Sequence, residues 1–163
     1  MNRRQALALA GCSPVVGKSQ AGVMDWFNGV TLNAPLPEFD ADYIGASPPG
    51  ERKLLLIDFW ATWCAPCRAE FPHLNQLNSQ FAQDGLVVVG LTQETKAVAE
   101  AFLPKVSIKY FVGAGGDPPL QKQLGIKALP YAVLVSREGK IVWRGQARGL
   151  SAAAVAQWLK SVA

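Results

Sequence analysis

Apolar residues fall along this chain in two rhythms. Leu54–Phe59, interrupted only by Asp58, Leu86–Leu91 and Tyr131–Val135 are short continuous runs, the pattern of strands covered on both faces. Between them the apolar positions spread out to helical spacing. The pattern predicts a helix from about Ala65 to Gln83, stopped by Gly85. A second helix starts at Thr92 or Glu94 and runs through Phe102, where Pro104 ends it. Ile108–Val112 reads as a shorter strand, and Pro118-Pro119 opens a helix to about Leu124 that Gly125 closes. Lys140–Arg144 is a further strand, joined to Tyr131–Val135 by a hairpin through Ser136-Arg137-Glu138-Gly139. Ser151 is placed to cap a last helix whose Val155, Trp158, Leu159 and Val162 share one face. Helices interleaved with parallel strands, then an antiparallel hairpin and a closing helix, predict an α/β fold: a three-layer α/β/α sandwich on a mixed central sheet.

The first third of the chain reads differently. Ser13 to Gly22 has the composition of a flexible tether, and Ala34-Pro35-Leu36-Pro37-Glu38-Phe39 that of an extended segment, since residues before proline are pushed out of the α region. Trp26 and Phe27 are an apolar pair expected to dock on the fold, and Phe39 and Tyr43 are expected on the domain edge. Ser47-Pro48-Pro49-Gly50 is a turn leading into the first central strand. Ahead of all this, Arg3-Arg4 followed by Ala6-Leu7-Ala8-Leu9-Ala10 and small residues has the layout of an export signal. The expected organisation is a signal segment at 1–11, a tether at 12–34 and one folded domain at 35–163.

Composition narrows the functional classes. The chain has 163 residues, 50% hydrophobic and 17% charged, which suits one domain with a proper core. Net charge is +4, but no basic run exceeds the pairs Arg3-Arg4 and Arg52-Lys53, so a nucleic-acid surface has little support. No stretch of eighteen apolar residues occurs. Gly113-Ala114-Gly115-Gly116 lacks the Lys-Ser/Thr of a phosphate loop and reads as a surface loop.

The chemistry is concentrated at Trp63-Cys64-Ala65-Pro66-Cys67. Two thiols three positions apart at the start of a helix can close a small disulfide and reopen it. Cys64 falls among unpaired backbone N–H groups at the positive end of the helix dipole, which favours its thiolate. Pro66 suits the first helical turn, where its missing N–H needs no partner. A zinc site normally takes four ligands, and a second Cys pair is absent: the chain holds three Cys and one His, with Cys12 far upstream and His73 on the same helix as Cys67. Asp58 ends an apolar strand, where a low-dielectric setting would raise its pKa. Glu70 lies one helical turn beyond Cys67. His73 reads as a surface histidine. Trp60 is expected beneath the site and Trp63 beside it, shielding the pair and offering an apolar face.

Asp58-Phe59-Trp60-Ala61-Thr62-Trp63-Cys64-Ala65-Pro66-Cys67-Arg68 resembles the active-site segment of the thioredoxin superfamily. Glu70-Phe71-Pro72, Val88-Val89-Gly90 and Gly125-Ile126-Lys127-Ala128-Leu129-Pro130 resemble its TlpA/ResA-like branch of exported, often membrane-anchored thiol-disulfide oxidoreductases. The resemblance runs from about Pro35 to Ala163 and implies a thioredoxin fold with no cofactor beyond a Cys64–Cys67 disulfide. It makes Cys64 the exposed, attacking thiol and Cys67 the buried, resolving one. Pro130 matches the superfamily's cis-proline, so Trp63, Ala65, Pro66, Leu129 and Pro130 would border the bound substrate segment. Asp58 matches the proton-handling acid of thioredoxins and Glu70 the acid that ResA-like proteins hold near their cysteines; carrying both departs from many relatives. Tyr131 and Ala132 stand where ResA-like proteins commonly show small hydroxyl residues. Leu9-Ala10-Gly11-Cys12 resembles a lipobox, which would make Cys12 a lipidated first residue of the mature chain.

The resemblance therefore implies an enzyme that reduces protein disulfides on the periplasmic side of a bacterial membrane, with cytochrome c maturation as a setting. It would be a lipid-anchored monomer kept reduced by a membrane carrier of the DsbD or CcdA kind. Two alternatives stand beside it: a disulfide-forming oxidant, and a copper-handling module of the Sco kind using Cys64, Cys67 and His73.

Overall fold

The computed structural model describes residues 29–116 and 118–161. The signal segment, Cys12, Trp26, Phe27 and Val162 lie outside the described residues.

A mixed sheet of six strands forms the middle layer, in the order β1-β4-β3-β2-β5-β6. The strands are β1 (Asp42–Ile44), β2 (Leu54–Phe59), β3 (Leu86–Thr92), β4 (Phe111–Ala114), β5 (Tyr131–Ser136) and β6 (Ile141–Gly145). β2, β3 and β4 are parallel, while β1, β5 and β6 add antiparallel pairings at the two sides. β2, β3 and β5 are buried along their whole length, which is why their sequences are apolar without alternation.

Side chains still alternate between faces with period two. Leu54 and Leu56 join one core with α1 (Ala65–Phe81), Ala99 of α2 (Lys96–Phe102), and Val155 and Leu159 of α4 (Ala152–Ser161). Leu55, Ile57 and Phe59 join the other, closed by Val30, Ile126 and the short α3 (Leu120–Gln123). The second layer is thin, and the chain ahead of Pro35 helps to complete it. Val30 is buried, Asn33 N–H donates to the Ile141 carbonyl at 2.8 Å, and Leu36 N–H to that of Gly139 at 2.8 Å. The packed fold therefore takes in residues from the stretch expected to be tether.

Among the differences from the expected elements, two shifted starts and one added strand have a visible reason. β4 begins at Phe111 rather than Ile108 because α1 holds the preceding backbone. Asn75 Nδ2 donates to the Ser107 carbonyl (2.8 Å), Lys109 N–H to Asn75 Oδ1 (2.7 Å) and Asn78 Nδ2 to the Lys109 carbonyl (2.9 Å). α2 begins after an N-cap at Thr95, whose hydroxyl accepts from Val98 N–H; Thr92 and Glu94 are engaged elsewhere. β1, too short and mixed to show in the pattern, pairs Asp42 with Ala114 and Ile44 with Val112 at the sheet edge. The expected hairpin and the Ser151 cap are present, with Ala154 N–H donating to Ser151 Oγ at 3.1 Å.

Candidate active site

β2 delivers the chain to the end of the sheet, and a tight turn hands it to α1. Trp60 N–H donates to the Leu91 carbonyl (3.1 Å), continuing the pairing to β3, and Cys64 N–H donates to the Ala61 carbonyl (3.0 Å), closing the turn. Cys64 is the N-cap of α1 and its Sγ accepts from Cys67 N–H at 3.3 Å. Cys64 and Cys67 are joined in a disulfide. Pro66 occupies the first turn of the helix, beside exposed Ala65.

Exposure corrects one expectation. Cys67 is fully buried, but Cys64, expected to be exposed, is only 3% exposed in this disulfide form. Trp63 stands 73% exposed. It offers an apolar ring to solvent beside the disulfide. Trp60 is buried below, edge-on to Phe71 and stacked with Phe102, both at 5.8 Å between centroids.

The Leu129–Pro130 peptide bond is cis and directly precedes β5. Tyr131 pairs with Phe59, so this segment lies at the same end of the sheet as the Cys64 turn, and half-buried Leu129 packs on the cluster that contains both cysteines. Pro130 is buried, while Lys127 and Ala128 are exposed.

Asp58 is 1% exposed, and among the described residues neither carboxyl oxygen has a hydrogen-bond partner. The alternation of β2 points it to the α1 face, between Gly90 of β3 and Ala132 of β5. These small neighbours leave the space that Trp60 fills: a Cβ on Gly90 would stand 3.0 Å from Trp60 Nε1 and 3.2 Å from the Tyr110 ring. Burial pushes the Asp58 carboxyl well above the usual carboxylate range, and the nearby Glu70 carboxyl pushes it further. Burial likewise raises the Tyr110 phenol, with Asp58 and then Glu70 adding to it. Trp60 Nε1, Tyr110 Oη and Glu70 Oε1 are also buried without a hydrogen bond. A polar cluster thus lies inside the apolar core beneath the helix.

Glu70 is 2% exposed and committed to the segment after β6. Its Oε2 accepts from Ala147 N–H at 2.9 Å, and its Oε1 lies 3.7 Å from Arg148 Nε. His73, half-buried rather than on the open surface, makes a parallel tie, with Nε2 donating to the Leu150 carbonyl at 2.9 Å. That bond commits Nε2 to a backbone carbonyl, and the structure does not gather Cys64, Cys67 and His73 as a three-ligand set. No group of three or more metal-ligating side chains is gathered among the described residues.

Sequence reasoning missed three participants. Tyr110 reaches the Asp58 cluster from outside any element, Arg148 meets Glu70 from a turn, and Glu94 holds the reactive turn. None has a local signature, because each acts across a long sequence separation.

A six-stranded mixed sheet, a cysteine pair opening α1, an acid beneath it and a cis-proline at the same sheet end define a thioredoxin-fold protein with a dithiol–disulfide centre. The chain belongs to the Redoxin family, whose pattern matches residues 49–155, and it is similar to thioredoxin-like proteins of the TlpA/ResA kind. It is 34% identical over 116 residues to the thiol:disulfide interchange protein HelX of Rhodobacter capsulatus, covering 69% of this chain and 60% of that one. Thiol-disulfide oxidoreductase ResA of Bacillus thuringiensis is 29% identical over 91 residues, 55% of this chain and 53% of the relative. The chain thus matches only about half the length of the ResA relatives. In fold it resembles the thioredoxin domain of a thiol-disulfide oxidoreductase from Bacteroides vulgatus, at TM-score 0.69 and 18% identity, covering 80% of this chain and 99% of that one.

Proposed function

We propose that this protein is a thiol-disulfide oxidoreductase that reduces protein disulfides outside the cytoplasm. The observation that carries the reading is the Cys64–Cys67 disulfide at the head of α1, above a buried acid with no hydrogen-bond partner among the described residues. In the reduced form, the Cys64 thiolate attacks one sulfur of a substrate disulfide and expels the other as a thiolate, leaving a mixed disulfide. Cys67 then loses its proton and attacks Cys64 Sγ, releasing the second substrate thiolate and closing the bond seen here. Two electrons pass to the substrate, and its thiolates take up two protons.

Cys67 is fully buried, so its proton needs an internal acceptor, and Asp58 suits that role. Its raised pKa brings it toward the thiol range, where transfer in either direction is cheap. Trp63, Ala65, Pro66 and the Leu129–Pro130 segment would receive an extended substrate strand beside Cys64. The relatives named thiol-disulfide oxidoreductase and thiol:disulfide interchange protein support this activity. The Arg3-Arg4 leader and Leu9-Ala10-Gly11-Cys12 support export and lipid anchoring at Cys12. A membrane thiol carrier of the DsbD or CcdA kind would return electrons, and Cys-x-x-Cys segments such as those of apocytochrome c are fitting substrates.

The test is insulin reduction by the dithiothreitol-fed protein, with Cys64→Ser expected to abolish it. Equilibrium against glutathione or dithiothreitol fixes the direction: a potential of roughly −230 to −270 mV supports a reductase, and one near about −120 mV makes the protein a disulfide-forming oxidant.

A further inference from the structure

Glu94 lies thirty-two residues beyond Thr62, between β3 and α2, yet its carboxylate is spent on the turn that presents Cys64. Thr62 N–H donates to Oε2 and the Thr62 hydroxyl to Oε1, both at 2.7 Å, so one residue is held at two points. The Thr92 hydroxyl also donates to Oε2 at 3.1 Å. The base of the clamp is itself fixed: Glu94 N–H donates to Thr92 Oγ1 at 3.2 Å, and the Glu94 carbonyl accepts from Gly115 N–H at 3.0 Å. On its other side the Thr62 carbonyl accepts from Arg68 Nη1 of α1 at 3.2 Å. Thr62 is thereby strung between the end of β3 and the first turns of the helix.

We propose that Glu94 is a positioning residue for the reactive turn, holding Ala61–Cys64 in the shape that aims the Cys64 sulfur at a disulfide. This rests on Cys64 being the attacking thiol. Trp63, between Thr62 and Cys64, is too exposed to anchor the turn by packing. The turn's own closing bond, Cys64 N–H to the Ala61 carbonyl, fixes its curvature but not its placement on the sheet. Trp60 and buried Ala61 seat the start of the turn, and beyond them Thr62 ties it to the end of β3 through bonds to a carboxylate, which are the stronger kind. Disulfide exchange needs the attacking sulfur in line with the bond it breaks, so a turn free to shift by an ångström loses rate.

The experiment is stopped-flow reaction of the fully reduced protein with 4,4′-dithiodipyridine, the fast phase being assigned to Cys64 by peptide mapping. This neutral small disulfide needs no protein-docking surface, and rates taken across the pH profile separate a change in the Cys64 thiolate fraction from a change in its positioning. Glu94→Ala is expected to slow the Cys64 rate constant by about tenfold, and Thr62→Val, which keeps the backbone bond and loses the hydroxyl, by about threefold. Thr62→Ser, which keeps both bonds, should stay within about twofold of the native protein. The Thr62 amide proton should resonate far downfield in the native protein and in Thr62→Ser, and move upfield in Glu94→Ala. If Glu94→Ala does not fold, the Val and Ser pair decides. Rates for Glu94→Ala and Thr62→Val that match or exceed the native one overturn the proposal. Native protein that fails to reduce insulin while the variants keep this order would remove the oxidoreductase reading and leave the clamp standing.

Discussion

Asp58 and Glu70 are equally hidden beneath the same helix, at 1% and 2% exposure, yet the fold treats them oppositely. Glu70 is given a backbone N–H at 2.9 Å and a guanidinium at 3.7 Å. Asp58 is given Gly90, Ala132 and an apolar wall, with no donor among the described residues. Burial alone therefore does not define a carboxylate's role. Desolvation raises the Asp58 pKa and no hydrogen-bond donor among the described residues offsets it, so Asp58 holds a proton readily. Glu70 reinforces the difference, because its charge raises the Asp58 pKa further. In the proposed mechanism Asp58 exchanges a proton with the cysteine pair, while Glu70 ties α1 to the turn at Ala147–Gly149.

The largest expected effect is on chemistry. Asp58→Asn should slow release of the mixed disulfide by about tenfold to a hundredfold in single-turnover mixing, the range of a lost general base. Glu70→Gln keeps an acceptor for Ala147 N–H and should stay within about threefold. Equal losses would end the distinction between the two acids.

Stability should reverse the order. Glu70→Ala strands the Ala147 N–H and should cost about 2–3 kcal/mol in urea unfolding. Arg148→Ala, which removes a side chain 68% exposed, should cost less than about 1 kcal/mol. The pH dependence separates them again. A carboxyl whose pKa is higher folded than unfolded makes the native state bind the proton more tightly. Asp58 thus contributes stability that is complete below the unfolded pKa of about 3.9 and is lost as pH rises through the folded value. Within that window the native protein should lose up to about 1.4 kcal/mol per pH unit to this group. Asp58→Asn should remove that part of the slope.

The sequence carried most of this layout, and where it fell short the cause is physical. β2, β3 and β5 announce themselves because both faces are buried, and the Cys64 turn because its chemistry is local. Asp58 stood out as a lone charge in an apolar strand, and the Leu129–Pro130 bond through its resemblance to a known segment. The apolar pattern starts β4 three residues early because Asn75 and Asn78 take the backbone that it would otherwise pair. Glu94 read as a helix start, since its acceptors' partner, Thr62, is thirty-two positions away. The tie from Glu70 to Ala147 spans seventy-seven. Such contacts leave no period in the chain.

The smallest expected effect is the sharpest test of Asp58's isolation. Tyr110 Oη is, with Trp60 Nε1, a candidate donor to Asp58, since its ring lies beside Gly90, the strand neighbour of Asp58, and its phenol responds to the Asp58 charge. Burial and both carboxyls push that phenol up, so it stays protonated and able to donate. As the hydroxyl makes no hydrogen bond among the described residues, Tyr110→Phe removes a buried polar atom and leaves none of their groups unpaired. The change should be neutral or stabilising, within about 1 kcal/mol in urea unfolding, with the pH slope of stability unaltered. A loss above about 2 kcal/mol, together with a steeper slope, would mean that the hydroxyl supports the ionised carboxylate. Asp58 would then be a partnered acid like Glu70, differing from it in degree.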